Sequence, residues 1–293
     1  MTPFHGLLAY PVTPMDADGA PDLDALGRVL APLVDAGVDA VGLLGSTGNY
    51  AYLDLPARKR VLAAAVEALD GRVPLVVGVG AMRTDWAEDL ARDAARAGVD
   101  GLLLAPMSYQ PLTEAEVHAH FRAVSLAGDL PLCVYDNPGT THFRFTSELL
   151  ARLAQLPGVA AVKVPVPRDD PAAELSRMRD GLADVALGAS GMAGCGRAML
   201  AGADAWHSSL AGSLAGPALA LVRAAQAGDA EAVEARETAL APLFGLMARR
   251  GSLRVAHAIV GLRGLCAAPL PRPLMPLDAE EIDMLAGMLD ELD

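Results

Sequence analysis

With 293 residues, 53% of them hydrophobic and 20% charged, the chain is too apolar for disorder and long enough to bury one large core. A formal charge of −13, with no basic stretch longer than Ala57-Arg58-Lys59-Arg60, argues against binding nucleic acid through phosphate neutralisation. No run of eighteen apolar residues is free of charges and glycines, so no segment reads as a membrane span.

Short apolar runs alternate with amphipathic stretches along the chain. The runs at 6–12, 40–44, 75–79, 101–105, 132–135, 159–164, 185–187 and 205–208 are continuous and rich in Val, Leu and Ala, as parallel strands buried on both faces should be. Helical periodicity fills 23–35, 56–69, 86–97, 114–126, 147–155, 171–181 and 192–201 between them. Three junctions repeat one pattern: Ala36-Gly37-Val38-Asp39, Ala97-Gly98-Val99-Asp100 and Ala201-Gly202-Ala203-Asp204. In each, a glycine suited to a left-handed helix end is followed by a strand. Eight strands with intervening helices predict a (β/α)8 TIM barrel over 1–212, a fold of ~250 residues in its ordinary form. The C-terminal helical region, 213–293, reads as helices at 214–227, 230–248, 253–265 and 279–292, broken by the proline-rich 269–276. A doubly wound open sheet is the alternative, but it would carry a Gly-rich dinucleotide turn after its first strand, and no such turn occurs there.

In a barrel, chemistry is expected at the C-terminal ends of the strands. Lys163 is one of two lysines in the chain and lies within the apolar run Val162-Lys163-Val164. Burial there would lower its pKa and provide the neutral amine needed to attack a ketone. The ordinary alternative is a lysine paired with a carboxylate or extended out of the barrel. Lys59, on a charged helical face, is expected to be simply solvated. Ser46 and Thr47, between Gly45 and Gly48, offer hydroxyls and accessible N–H groups to a substrate carboxylate; the ordinary alternative is a plain glycine turn. Tyr135, at a strand end, is a candidate proton carrier, although a strand-end tyrosine more often packs with its hydroxyl on the backbone.

Taken together, Gly45-Ser46-Thr47-Gly48, Tyr135-Asp136-Asn137-Pro138-Gly139-Thr140-Thr141 and a lysine 28 positions beyond the tyrosine (163 − 135) resemble the dihydrodipicolinate synthase / N-acetylneuraminate lyase family over essentially the whole chain. The resemblance implies a class I aldolase that forms an imine with pyruvate or another 2-keto acid, with an aldehyde or sugar acid as second substrate. By that resemblance Lys163 is the imine-forming residue, Tyr135 the proton carrier, and Ser46 its relay partner. Thr47, Gly48 and Gly188 would bind the keto acid, and Tyr109 would lie on a loop that crosses between subunits of a homotetramer, a dimer of dimers. No metal or cofactor is implied, and His5, His118, His120, His142, His207 and His257 show no ligand spacing. His118 and His120, two apart on a predicted helix, are expected at the surface.

The sequence departs from the family pattern at several points. Thr140 stands where the synthase has an arginine for the carboxylate of aspartate semialdehyde, and Asn49 replaces a glutamate. Tyr109 lies one position later than the usual crossing tyrosine, and His207 occupies a position where a small aliphatic residue usually lines the keto-acid pocket. These departures favour an aldolase or a dehydratase of a 3-deoxy-2-keto sugar acid over 4-hydroxy-tetrahydrodipicolinate synthase, with Thr140 and His207 contacting the substrate. A non-catalytic small-molecule-binding barrel is the reading from another class. The widely spaced Cys133, Cys195 and Cys266 contain no CxxC pair, and the N-terminus has no signal-peptide features. The expected location is the cytoplasm, without a disulfide framework.

Overall fold

The computed structural model describes residues 2–166, 170–182, 184–267 and 269–292. Its elements follow in the order β1 (Gly6–Ala9), α1 (Leu23–Ala36), β2 (Ala40–Leu43), α2 (Leu55–Leu69), β3 (Leu75–Gly78), α3 (Thr84–Ala97), β4 (Gly101–Leu104) and α4 (Glu114–Gly128). They continue with β5 (Leu132–Tyr135), α5 (Pro138–Thr141), α6 (Ser147–Ala154), β6 (Val159–Pro165), α7 (Pro171–Leu182), β7 (Ala186–Ser190), α8 (Cys195–Leu200) and β8 (Ala205–Ser208). Helices α9 (Ala215–Gln226), α10 (Ala230–Arg250), α11 (Ser252–Leu262) and α12 (Ala279–Asp290) follow the last strand. The strands pair in parallel in chain order and β8 closes onto β1, so the sheet is a (β/α)8 barrel followed by helices. Among the described residues no helix is long and apolar enough to cross a membrane.

Local sequence explains where the helices begin and end. Asp22, Asp54 and Thr146 accept hydrogen bonds from N–H groups in the first turns of α1, α2 and α6. Thr113 with Glu116 and Asp278 with Glu281 form reciprocal capping boxes on α4 and α12. Gly37 and Gly98 close α1 and α3 at φ 73° and 77°, a conformation that costs glycine least. The aspartate two residues beyond each repeated glycine then bonds to the preceding strand. Asp39 accepts from the Leu7 N–H at 2.7 Å, Asp100 from Leu75 at 2.8 Å, and Asp204 from Leu187 at 2.7 Å. The repeat thus supplies a turn and a staple at the N-terminal rim of the barrel.

The apolar side chains form two layers. The interior holds Phe4, Leu8, Tyr10, Val76, Leu103 and Cys133 with the small Ala40, Ala161, Ala186 and Ala205, while a larger shell fills the space between strands and helices. Trp206 of β8 belongs to that shell, donating its indole N–H to the Gly191 carbonyl at 3.0 Å and meeting Phe244 of α10 edge to face.

Several expectations need correction at their boundaries. The first four strands end one to three residues earlier than their apolar runs. Leu44 turns into the left-handed region at φ 54°, and its carbonyl would lie 2.0 Å from a Cβ on Gly78, so the bend relies on that glycine. Helix α8 starts at Cys195 rather than 192 because Gly191 and Gly194 hold positive φ angles. The single-turn α5 and a 3-10 turn at Tyr50–Tyr52 were not expected from periodicity. His120 is not at the surface: it is buried between α3 and α4, its Nδ1 2.9 Å from the Thr84 hydroxyl, and burial lowers its pKa to about 4.

Candidate active site

Lys163 lies midway along β6, in register with Tyr135 of β5 and Gly188 of β7. Its amine is buried, 3.8 Å from the centre of the Tyr135 ring and 4.0 Å from that of Tyr10. Tyr10, just past β1, gains its position from two glycines: a Cβ on Gly42 or Gly45 would come within 2.8 Å or less of its ring. Ring faces attract an ammonium by roughly 0.5–2 kcal/mol, whereas burying a charge without a counter-ion costs several kcal/mol. Burial therefore wins and lowers the Lys163 pKa from 10.5 to about 7. Among the described residues no carboxylate forms an ion pair with it. Lys59 is half exposed and salt-bridged to Asp93, a surface lysine as expected.

Burial also raises the Tyr135 pKa, so the phenol keeps its proton at neutral pH, while its hydrogen bond to Ser46 opposes that shift. The Ser46 oxygen also accepts from the Asn137 side-chain amide at 3.3 Å. A hydroxyl from the loop after β2, a phenol from β5 and an amide from the following turn thus converge beside the β6 amine. Thr47 is buried next to Ser46, and the carbonyl of Gly48 accepts from the Thr13 hydroxyl at 2.7 Å. Asn49 is structural. At φ 59° its side-chain amide bonds the Thr13 carbonyl at 3.2 Å and lies 3.1 Å from His257 Nε2, joining the loops after β1 and β2 to α11.

On the opposite wall, His207 of β8 is buried with Nδ1 2.8 Å from the Tyr10 hydroxyl. Its Nε2 would lie 2.3 Å from a Cβ on Gly188, so only a glycine there leaves room for the ring. The imidazole partner is thus a side-chain hydroxyl, not the backbone carbonyl that an ordinary core histidine would use.

Two sequence-selected residues stand apart. Thr140 is exposed on α5, its hydroxyl directed to the Asn137 carbonyl at 3.4 Å. Tyr109, between β4 and α4, is 87% exposed. Sequence reasoning overlooked Tyr10 and Asn137. Tyr10 had a usable signal, an aromatic hydroxyl inside the first apolar run. Asn137 had only its place in the turn after Tyr135.

Tyr50 and Arg58 were overlooked as well. The Arg58 guanidinium lies 5.3 Å from the centre of the Tyr50 ring and donates to the Gly78 and Gly80 carbonyls at 2.7 and 2.8 Å. Tyr50 faces the same small cavity as Ser46 and Tyr135.

Comparisons with known proteins show the family to which the chain belongs. The profile of the Dihydrodipicolinate synthetase family matches residues 3–292. A 4-hydroxy-tetrahydrodipicolinate synthase of Corynebacterium aurimucosum is 37% identical over 96% of this chain and 92% of its own. A second such synthase, from Streptomyces coelicolor, is 35% identical over 98% and 96%. The crystal structure of a dihydrodipicolinate synthase from Agrobacterium tumefaciens superposes with a TM-score of 0.97 at 47% identity, covering 99% of both chains. The chain belongs to the dihydrodipicolinate synthetase family, a family of Schiff-base-forming lyases of the class I aldolase type.

Proposed function

We propose that Lys163 forms the imine through which this enzyme acts on pyruvate or a related 2-keto acid, in an aldol cleavage or condensation or in dehydration of a 3-deoxy-2-keto sugar acid. The observation that carries this reading is the buried Lys163 amine, held between the Tyr10 and Tyr135 rings with its pKa near 7. The amine lone pair adds to the keto carbon, and the resulting carbinolamine loses water to leave a protonated imine. That imine is an electron sink: loss of a C3 proton, or breaking of the C3–C4 bond, leaves its electron pair as an enamine. Tyr135, protonated and bonded to Ser46, delivers a proton to the departing hydroxyl and takes one back later in the cycle, a contribution of ~10²–10⁴-fold. The Thr47 hydroxyl and the N–H groups of the Gly45–Gly48 turn receive the carboxylate.

The test is reduction with borohydride in the presence of pyruvate, read by mass spectrometry. One adduct is expected, on Lys163 and not on Lys59, and absent from Lys163→Arg. An adduct that persists in that variant overturns the assignment.

The names of the relatives favour the synthase reaction as a second reading. Against it, Thr140 has no fixed charge, and a carboxylate removed from water without a charged partner costs several kcal/mol. With pyruvate and aspartate semialdehyde we expect little turnover; a kcat/KM of ~10⁴ M⁻¹s⁻¹ or more, the ordinary enzyme range, would restore the synthase.

The exposed Tyr109 suits a loop that enters a neighbouring subunit, and the assembly we propose is a homotetramer in the cytoplasm. Light scattering should then report about four times the 30.2 kDa chain mass; a strict monomer at micromolar concentration would exclude it.

A further inference from the structure

One polar atom at the barrel mouth has no place in the scheme above. His207 Nε2 is buried and has no hydrogen-bond partner among the described residues, although the other ring nitrogen is engaged by Tyr10. An unpartnered buried nitrogen costs about 1–3 kcal/mol, and such groups in native proteins call for an explanation. The sequence has made room for this one. Gly188 lacks the side chain that would collide with Nε2, and the Tyr10 ring bonded to Nδ1 is also the ring against which the Lys163 amine rests. The orphan atom therefore belongs to the same chamber as the amine.

The direction of a bound keto acid follows from the arrangement of the strands. An imine at Lys163 on β6 carries two carbon substituents. With the carboxylate on the Ser46-Thr47 turn after β2 and the Tyr135 ring filling the β5 side of the amine, the third carbon would face β7 and β8, where Gly188 and His207 stand. An apolar methyl there would leave Nε2 unpaired, whereas an oxygen would satisfy it. When the Tyr10 hydroxyl donates to Nδ1, the ring proton is on Nε2, and the chamber presents an N–H donor.

We propose that His207 is a specificity-determining residue, fixed by Tyr10 and accommodated by Gly188, which selects 2-keto acids bearing an oxygen on the third carbon over those with an apolar group there. The inference rests on Lys163 as the imine residue. It extends that reading by assigning the class of keto acid, one oxygenated next to the keto group, and so favours the aldol reaction over dehydration of a 3-deoxy acid, which has no oxygen there.

The experiment is a competition between two keto acids of nearly equal size, 3-hydroxypyruvate and 2-oxobutanoate. They are mixed in equal amounts with the enzyme, reduced with borohydride and distinguished by the mass of the adduct. The wild-type protein should favour the hydroxylated acid by tenfold or more. His207→Leu should abolish or reverse that preference, and His207→Gln, which keeps an N–H donor, should retain much of it. Should His207→Leu fail to fold by circular dichroism, Tyr10→Phe replaces it, with a several-fold loss of preference expected because Nδ1 loses its partner.

A wild-type ratio near one, or the same ratio in wild type and the folded variants, overturns the role of His207 while leaving the Lys163 imine standing. Absence of any adduct in the wild type, with pyruvate included, overturns the imine and this inference together.

Discussion

The two ends of the barrel solve opposite problems with similar materials. At the N-terminal rim, Asp39, Asp100 and Asp204 each pair with a strand N–H, and Asp39 and Asp204 also meet Arg223 and Arg179. At the C-terminal rim, among the described residues, Lys163 has no ion pair and His207 Nε2 no hydrogen-bond partner. One rim pairs its aspartates; the other leaves a buried amine without a counter-ion, with its pKa lowered to about 7, and one ring nitrogen unpaired. Active sites in this fold sit at the C-terminal face, built from the loops after the strands, and stability is concentrated at the other.

The comparison breaks most visibly at Lys163. Lys163→Met should remove turnover completely and at the same time stabilise the fold, because a side chain held below its ordinary pKa opposes folding. The unfolded lysine binds its proton up to pH 10.5 and the folded one only to about 7, so stability rises with pH between those values. The gain from Lys163→Met should therefore be largest below pH 7, up to about 5 kcal/mol, and fade towards pH 10.5. Chemical denaturation across that range measures it; a gain that does not change with pH would mean the lysine is not desolvated.

Tyr135→Phe keeps the ring against the amine and removes the proton. Turnover should fall by roughly 10²-fold or more while the borohydride adduct still forms. Unchanged turnover would make Tyr135 a packing residue.

At the other rim, Asp39→Ala leaves the Leu7 N–H and Arg223 without their acceptor. It should cost about 1–3 kcal/mol in denaturant unfolding with no change in adduct formation per folded molecule. Loss of adduct in the folded variant would show that the two ends are coupled. The smallest effect is expected from Arg223→Ala, about 0.2–1 kcal/mol, because its ion pair with Asp39 is partly exposed.

Much of the fold was legible because its signals are local. Continuous Val, Leu and Ala runs marked the strands, and Gly37, Gly98 and Gly202 marked helix ends through their backbone freedom. Lys163 stood out as a charged residue in an apolar strand. His120 misled because a two-residue spacing says nothing about which face a helix buries; the packing of α3 against α4 decided it. Tyr10 escaped notice because its value depends on Lys163, 153 positions later (163 − 10), and on Gly42 and Gly45 clearing its ring.

The sequence by itself determined the alternation of elements, the repeated helix-to-strand turns, and the residue types from which imine chemistry can be built. These depend on backbone preference and on the period of hydrophobicity, which a few neighbouring residues specify. Only the tertiary structure decided that the Lys163 amine is buried between two aromatic rings, that Ser46 is hydrogen-bonded to both Tyr135 and Asn137, and that His207 turns to Tyr10 and leaves Nε2 open. Each of those properties depends on the distance between strands far apart in the chain, and on the water that closing the barrel excludes.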